Sequence, residues 1–246
     1  MSAISKLRPY LFPALALVVL SAVSLAQEGG GEAHQRNKTL LELFETTGFV
    51  GWLMVACSVA GTALSIEHLV NLRREKLAPV SLSEDLKALI DEGRYDEAIE
   101  LAEEEGGYLS SLISSALQMR HAGYEEMIQG LEAAANEQAF KLNTKISYMS
   151  LIGNIAPLLG LLGTVTGMIT SFQEIEKLKA PTPKDLATGV YESLVNTTMG
   201  LFLAIVFLTF YFLFKNKVSK MTLSINLQAV SMLKHLAPTK EGEHAA

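Results

Sequence analysis

Two stretches of the sequence carry polar and small side chains inside apolar runs, spaced to share one face of a helix. In the first, Gly160, Thr164, Gly167 and Ser171 follow i, i+4, i+7, i+11, a period that stacks side chains along one side. In the second, Ser193, Thr197, Gly200 and Ala204 repeat it, and Glu192 and Asn196 form an i, i+4 pair beside that stripe. Hydroxyls offer polar contacts along such a face without adding a fixed charge. A carboxylate at a membrane edge is costly to bury, which makes Glu192 a functional candidate by default. Two uses of the stripes stay open. They line a polar path in an oligomer, or they let membrane helices approach closely, as Gly163-x-x-x-Gly167 is spaced to do. Glu192 favours the path, although its place near the outer end of its helix also suits an interfacial residue that snorkels to water.

Other chemistries lack their residues. There is no His-Glu-x-x-His, no Gly-x-Ser-x-Gly and no phosphate loop, so no enzyme class is indicated. His34, His68, His121, His235 and His244 are scattered along the chain, and Cys57 is its one cysteine; no metal site, disulfide or cofactor is expected. A net charge of −6 without a basic patch argues against nucleic acid as a partner.

The elements that must position the stripes are membrane helices. Of 246 residues, 49% are hydrophobic and only 19% charged, below the roughly 25% charged residues of a soluble domain. The apolar excess falls in blocks at residues 11–26, 49–66, 149–172 and 194–214. The first follows Lys6 and Arg8 and ends in Ser24-Leu25-Ala26, the form of a cleavable signal. It is also shorter than the roughly 20 residues a span needs. An uncleaved fourth helix is the alternative, and Gln27 emerges outside in either case.

Arg73, Arg74 and Lys76 follow the second block, and Lys215, Lys217 and Lys220 follow the last. Both ends therefore belong in the cytoplasm by the positive-inside bias, and block 149–172 must cross outward between them. The expected layout is a signal at 1–26, a periplasmic segment at 27–47, a first transmembrane helix at 48–70 and a cytoplasmic helical region at 71–148. A second transmembrane helix at 149–172, a periplasmic loop at 173–190, a third helix at 191–214 and a cytoplasmic tail at 215–246 complete it. The fold class is all-α: a polytopic membrane protein with three spans in the mature chain and long helices reaching into a cytoplasmic helical domain.

In the cytoplasmic region Ser83 is placed as an N-cap for Leu86, Leu89 and Ile90, with Gly93 as the stop. A second helix over 95–105 ends at Gly106-Gly107. From Tyr124 no strong breaker appears before Pro157, so one helix over 124–172 is expected, roughly 70 Å long. Pro157 removes a backbone donor inside it and predicts a kink.

The run from Ala156 to Ile169, which reads APLLGLLGTVTGMI, and the run from Glu192 to Leu201, which reads ESLVNTTMGL and is followed by Ala204-Ile205, resemble the two motifs of the MotA/TolQ/ExbB proton-channel family. The resemblance runs from about residue 40 to 236, as does the order of elements, and it is strongest with the ExbB/TolQ branch. It implies a homopentamer in the inner membrane. The second and third helices would surround a pore holding a single-span partner of the ExbD/TolR type, which brings the titratable aspartate, so that proton flow does work at the cell envelope. By motif position Thr164 and Thr197 match pore-facing threonines, and Glu192 matches an acidic position of the last helix. Val206 stands where the branch commonly has proline. A passive scaffold, or a flagellar-type or gliding-type stator subunit, is the alternative reading.

Overall fold

The first apolar stretch of the described chain forms α1, Gly48–Asn71. Its 24 residues span about 36 Å at 1.5 Å per residue, enough to cross hydrocarbon of about 30 Å. The structure, a computed structural model, describes residues 48–177 and 182–237. The expected signal (1–26), the segment 27–47 and part of the loop at 173–190 lie outside the described residues.

After α1 the chain folds into short helices: α2 (Arg74–Leu77), α3 (Val80–Asp91), α4 (Tyr95–Glu105) and α5 (Tyr108–Gln118). Ser83 does not cap α3. The helix starts a turn earlier, behind Pro79 at φ −58°, because a proline's fixed φ already suits a helix entrance. Ser83 lies inside α3, buried. Gly93 does stop this helix. At φ 77° it lets Arg94 N–H bond back to the Leu89 carbonyl at 2.9 Å and its own N–H to Ile90 at 3.1 Å, the Schellman closure that glycine favours. Helix α4 ends at Gly106, again in the left-handed region at φ 63°.

Two long helices complete the fold, α6 (Tyr124–Lys177, 54 residues) and α7 (Pro183–Leu233, 51 residues). Glu125 and Glu126 occupy the first turn of α6, where the helix dipole favours them. The helix runs on through Pro157. Helix α7 likewise passes the end of its apolar block, so the segment expected as a tail from 215 is helical to Leu233. The reason is burial: Val218, Ile225, Ala229 and Leu233 are fully buried, at spacings of seven, four and four that keep one face inward. Three of the helices (α1, α6 and α7) contain stretches long and apolar enough to cross a membrane. Among the described residues there is no strand.

Helices α6 and α7 lie antiparallel. Contacts pair Gly167 with Ser193, Gly160 with Thr197 and Gly153 with Leu208, and far along the same line Tyr108 bonds both Ala135 and Asn226. Residue numbers rise on one helix as they fall on the other. At the end remote from the apolar blocks, α3, α4 and α5 close over both helices. Leu86, Ile90, Leu109, Leu112, Ile113 and Leu117 meet Leu131, Ile225 and Leu233 there in one core.

Candidate functional site: the seam between α6 and α7

The two motifs face each other. A Cβ added to Gly160 would lie 3.1 Å from both the Asn196 carbonyl oxygen and the Thr197 Cα, and one on Gly200 would lie 3.1 Å from the Gly160 Cα. The one on Gly200 would also lie 2.5 Å from the Ala156 carbonyl oxygen, closer than real Cβ atoms come to backbone, so glycine there lets the two helices approach this closely. Gly167 lies under the Ser193 hydroxyl, and Ser171 lies against Gly189. The seam therefore uses Gly160, Gly167, Ser171 and Gly200 for contact between two helices of one chain.

The hydroxyls sit along this contact. Thr197 Oγ1 donates across the seam to the Gly160 carbonyl at 3.3 Å. Thr164, one turn on from Gly160, donates to Leu161 of its own helix at 2.7 Å. Both threonines are half-buried in the single chain. Ser171 Oγ and Ser193 Oγ bond back to Gly167 and Gly189 at 2.7 and 2.8 Å, as hydroxyls in apolar surroundings commonly do.

Asn196 is placed differently. It is 3% exposed, its amide lies against Gly163, where an added Cβ would be 2.9 Å from Nδ2, and its Oδ1 is buried with no hydrogen-bond partner among the described residues. Glu192 is in α7, and its side chain lies outside the described residues. Pro157 is half-buried within α6. No group of three or more His, Cys, Asp or Glu side chains is arranged to hold a metal among the described residues.

Three positions that bear on this geometry were not singled out from sequence. Gly153 admits Leu208; it recurs seven residues before Gly160 and fourteen before Gly167, a repeat that marks it as part of the same face. Gly61 seats the Phe207 ring and fixes α1 against α7. His68, 3% exposed, donates from Nε2 to the Lys145 carbonyl at 3.2 Å and meets the Phe214 ring edge-on at 5.6 Å, joining α1 to both long helices. Nothing in the spacing around His68 announces that contact.

This arrangement defines a helical membrane protein in which the last two spans pack through a small-residue seam edged with hydroxyls. The chain belongs to the MotA/TolQ/ExbB proton channel family, whose model matches residues 104–226. An ExbB homolog of Methanothermobacter thermautotrophicus is 28% identical over 176 residues, covering 70% of this chain and 62% of that protein. The biopolymer transport protein ExbB of Salmonella typhimurium is 26% identical over 183 residues, 69% of this chain and 71% of its own length. The Tol-Pal system protein TolQ of Pseudomonas aeruginosa is 31% identical over 81 residues, 33% of this chain and 35% of TolQ. The chain thus spans less than two thirds of the archaeal relative and of TolQ.

Proposed function

We propose that this chain is the channel-forming subunit of an ExbB/TolQ-like motor of the inner membrane, with its N-terminus periplasmic, its C-terminus cytoplasmic and a cleavable signal at 1–26. In this reading copies of the chain, five by family resemblance, surround the single transmembrane helix of an ExbD/TolR-like partner. That helix carries the carboxylate that takes up and releases protons, and the motion it drives does work on the cell envelope. The role is not enzymatic.

The observation that carries the reading is the seam with its half-buried threonines. Glycine contacts hold the two motif helices at a fixed separation. Thr164 and Thr197, at the edge of that contact, keep part of their surface for a neighbour in an assembly. Hydroxyls presented to a partner's carboxylate would solvate its charged form by hydrogen bonds. Glu192 belongs to the same path near its outer end, while Asn196, buried against Gly163, and Gly160, Gly167, Ser171 and Gly200 contribute by setting the helix spacing. Energy supply is adequate in scale, since one charge moved through 100 mV releases about 2.3 kcal/mol.

Self-association is supported by apolar side chains beyond the expected spans at 149–172 and 191–214. Phe140 is 72% exposed on α6, and Leu223 and Leu227 are 62% and 63% exposed on α7. Large apolar groups held in water on a long helix favour burial against a copy of the same surface. The test is proton uptake by liposomes holding this protein with a single-span partner. A Thr164→Val, Thr197→Val double variant should lose most of the flux while keeping its oligomeric state. Undiminished flux in that variant would remove the threonines from the path, and absence of flux in the wild-type complex would leave a passive scaffold.

A further inference from the structure

Where the three span-forming helices leave their apolar stretch, their cations gather at one level. Leu72, just past the end of α1, Ile146 of α6, and Phe214 and Val218 of α7 share one buried layer, which the bond between His68 and the Lys145 carbonyl ties together. Arg73 and Lys145 are the sequence neighbours of Leu72 and Ile146, and Lys220 follows Val218 by two; all three are exposed.

Their surroundings differ from those of the cations farther from the spans. In the short-helix region Arg94 is ion-paired with Glu92 and Glu97, and Arg120 with Asp96 at 2.7 Å. In the belt, Lys141 pairs with Glu137 at 2.6 Å, and three further cations touch neutral groups. Arg74 reaches Gln228 at 3.4 Å, Lys76 reaches Asn71 at 2.9 Å, and Lys215 lies 5.6 Å from the Tyr211 ring centre. Among the described residues no carboxylate lies within salt-bridge distance of Arg73, Lys145 or Lys220. In a chain of net charge −6, these three exposed cations are left without an ion-pair partner. On the span side of it Tyr148 and Phe212 are 53% and 56% exposed, apolar surface suited to acyl chains beside cations suited to phosphate.

We infer that the belt of Arg73, Lys145 and Lys220 binds the phosphodiester headgroups of anionic phospholipids, so that an acidic leaflet supplies the counter-charge of these three cations. Clustered cations beside a span are attracted to anionic lipid, and the attraction fades over a Debye length as salt rises. The proposed topology enters only in naming this leaflet the inner one. The binding chemistry does not depend on the ion path, and its test involves no flux.

The test uses the full-length oligomer in nanodiscs of phosphatidylcholine, with or without phosphatidylglycerol. Lipids retained after detergent transfer are counted by native mass spectrometry, and thermal unfolding is followed in parallel. Wild type should retain phosphatidylglycerol in preference to phosphatidylcholine and melt higher when it is present, with the difference shrinking at high salt. Arg73→Gln, Lys145→Gln, Lys220→Gln together should abolish the preference. The charge-keeping set Arg73→Lys, Lys145→Arg, Lys220→Arg should restore it, and Arg120→Gln should leave it intact. Equal retention of both lipids by wild type, or full preference in the triple glutamine variant, overturns the inference. So does a melting shift reproduced in pure phosphatidylcholine by inorganic phosphate, which would assign the belt to free anions.

Discussion

Helices α6 and α7 pack against each other twice, by opposite means. In the half that carries the two motifs, glycines bring backbone against backbone: Gly160 against Thr197, and Gly200 against Gly160. In the other half the filling is large and apolar, with Leu131, Ile225 and Leu233 fully buried under Leu109, Leu112 and Ile113 of α5. The solvent accounts for the difference. In water, burying leucine is itself the driving force. In hydrocarbon a leucine gains nothing by leaving lipid for protein, so close approach, dispersion and a few hydrogen bonds must hold the pair. The division is not absolute, because Gly130 in the watery half also admits a neighbour, lying close to the Met119 sulfur and the Ser115 carbonyl.

The largest expected effect comes from the leucine-filled half. Leu112 is fully buried, so Leu112→Ala should destabilise by about 2–5 kcal/mol through lost transfer energy and a residual cavity. Thermal unfolding in micelles, followed by circular dichroism, measures it. A loss well under that range would mean that the short helices collapse onto the gap, and that this core is looser than its burial indicates.

The seam answers with a sign reversal. In the middle of an exposed helix Gly→Ala stabilises by about 1 kcal/mol. At Gly200 the added Cβ meets the Ala156 carbonyl and the Gly160 Cα, both backbone atoms that cannot step aside. Gly200→Ala should therefore destabilise by about 1–3 kcal/mol, the range for overpacking, and separate the two motifs. A neutral or stabilising result would show that the helices part easily here, and the contrast between the halves would fail.

Asn196 offers the opposite sign in the same seam. Its buried Oδ1 has no partner among the described residues, and replacing such a group by an apolar one of similar shape relieves its desolvation cost. Asn196→Leu should stabilise the isolated subunit by about 1 kcal/mol and reduce proton flux in the complex. Destabilisation instead would show that a buried water supplies the missing donor.

Much of this contrast could be read from residues alone, and the part that could not has a physical cause. Glycine and hydroxyl positions repeat at helical spacing, so the two faces of the seam were legible through Gly160, Thr164, Thr197 and Gly200. Which surface they meet was not: a stripe of small residues has the same pattern whether it faces a bore or a sister helix. The extension of α7 to Leu233 was obscured because Lys215, Lys217 and Lys220 mark a membrane boundary, and a boundary resembles the end of a helix. Ser83 was misplaced because serine suits a cap and a buried position alike, and Pro79 decided between them. His68 was beyond reach, since its partners, the Lys145 carbonyl and Phe214, lie on helices distant in sequence.

The smallest effect, at Tyr108, tests whether the watery half also depends on polar contacts. Tyr108 is 2% exposed, and its hydroxyl donates to Asn226 Oδ1 of α7 at 3.0 Å. Burial pushes the phenol above its ordinary value, and the bond with Asn226 draws it partly back. For a group whose folded pKa is raised, the stabilisation is complete below the unfolded pKa, about 10 for tyrosine, and is lost as pH rises through the folded value. Wild-type stability should therefore hold near neutral pH and decline above about pH 10. Tyr108→Phe should cost about 1 kcal/mol near neutral pH, because it leaves the Asn226 oxygen without its donor, and should flatten this part of the alkaline decline. Unfolding measured across that range in both proteins separates the contributions. If the phenylalanine variant declined with the same slope, the alkaline sensitivity would belong to other groups, and apolar burial alone would hold α5 onto α7.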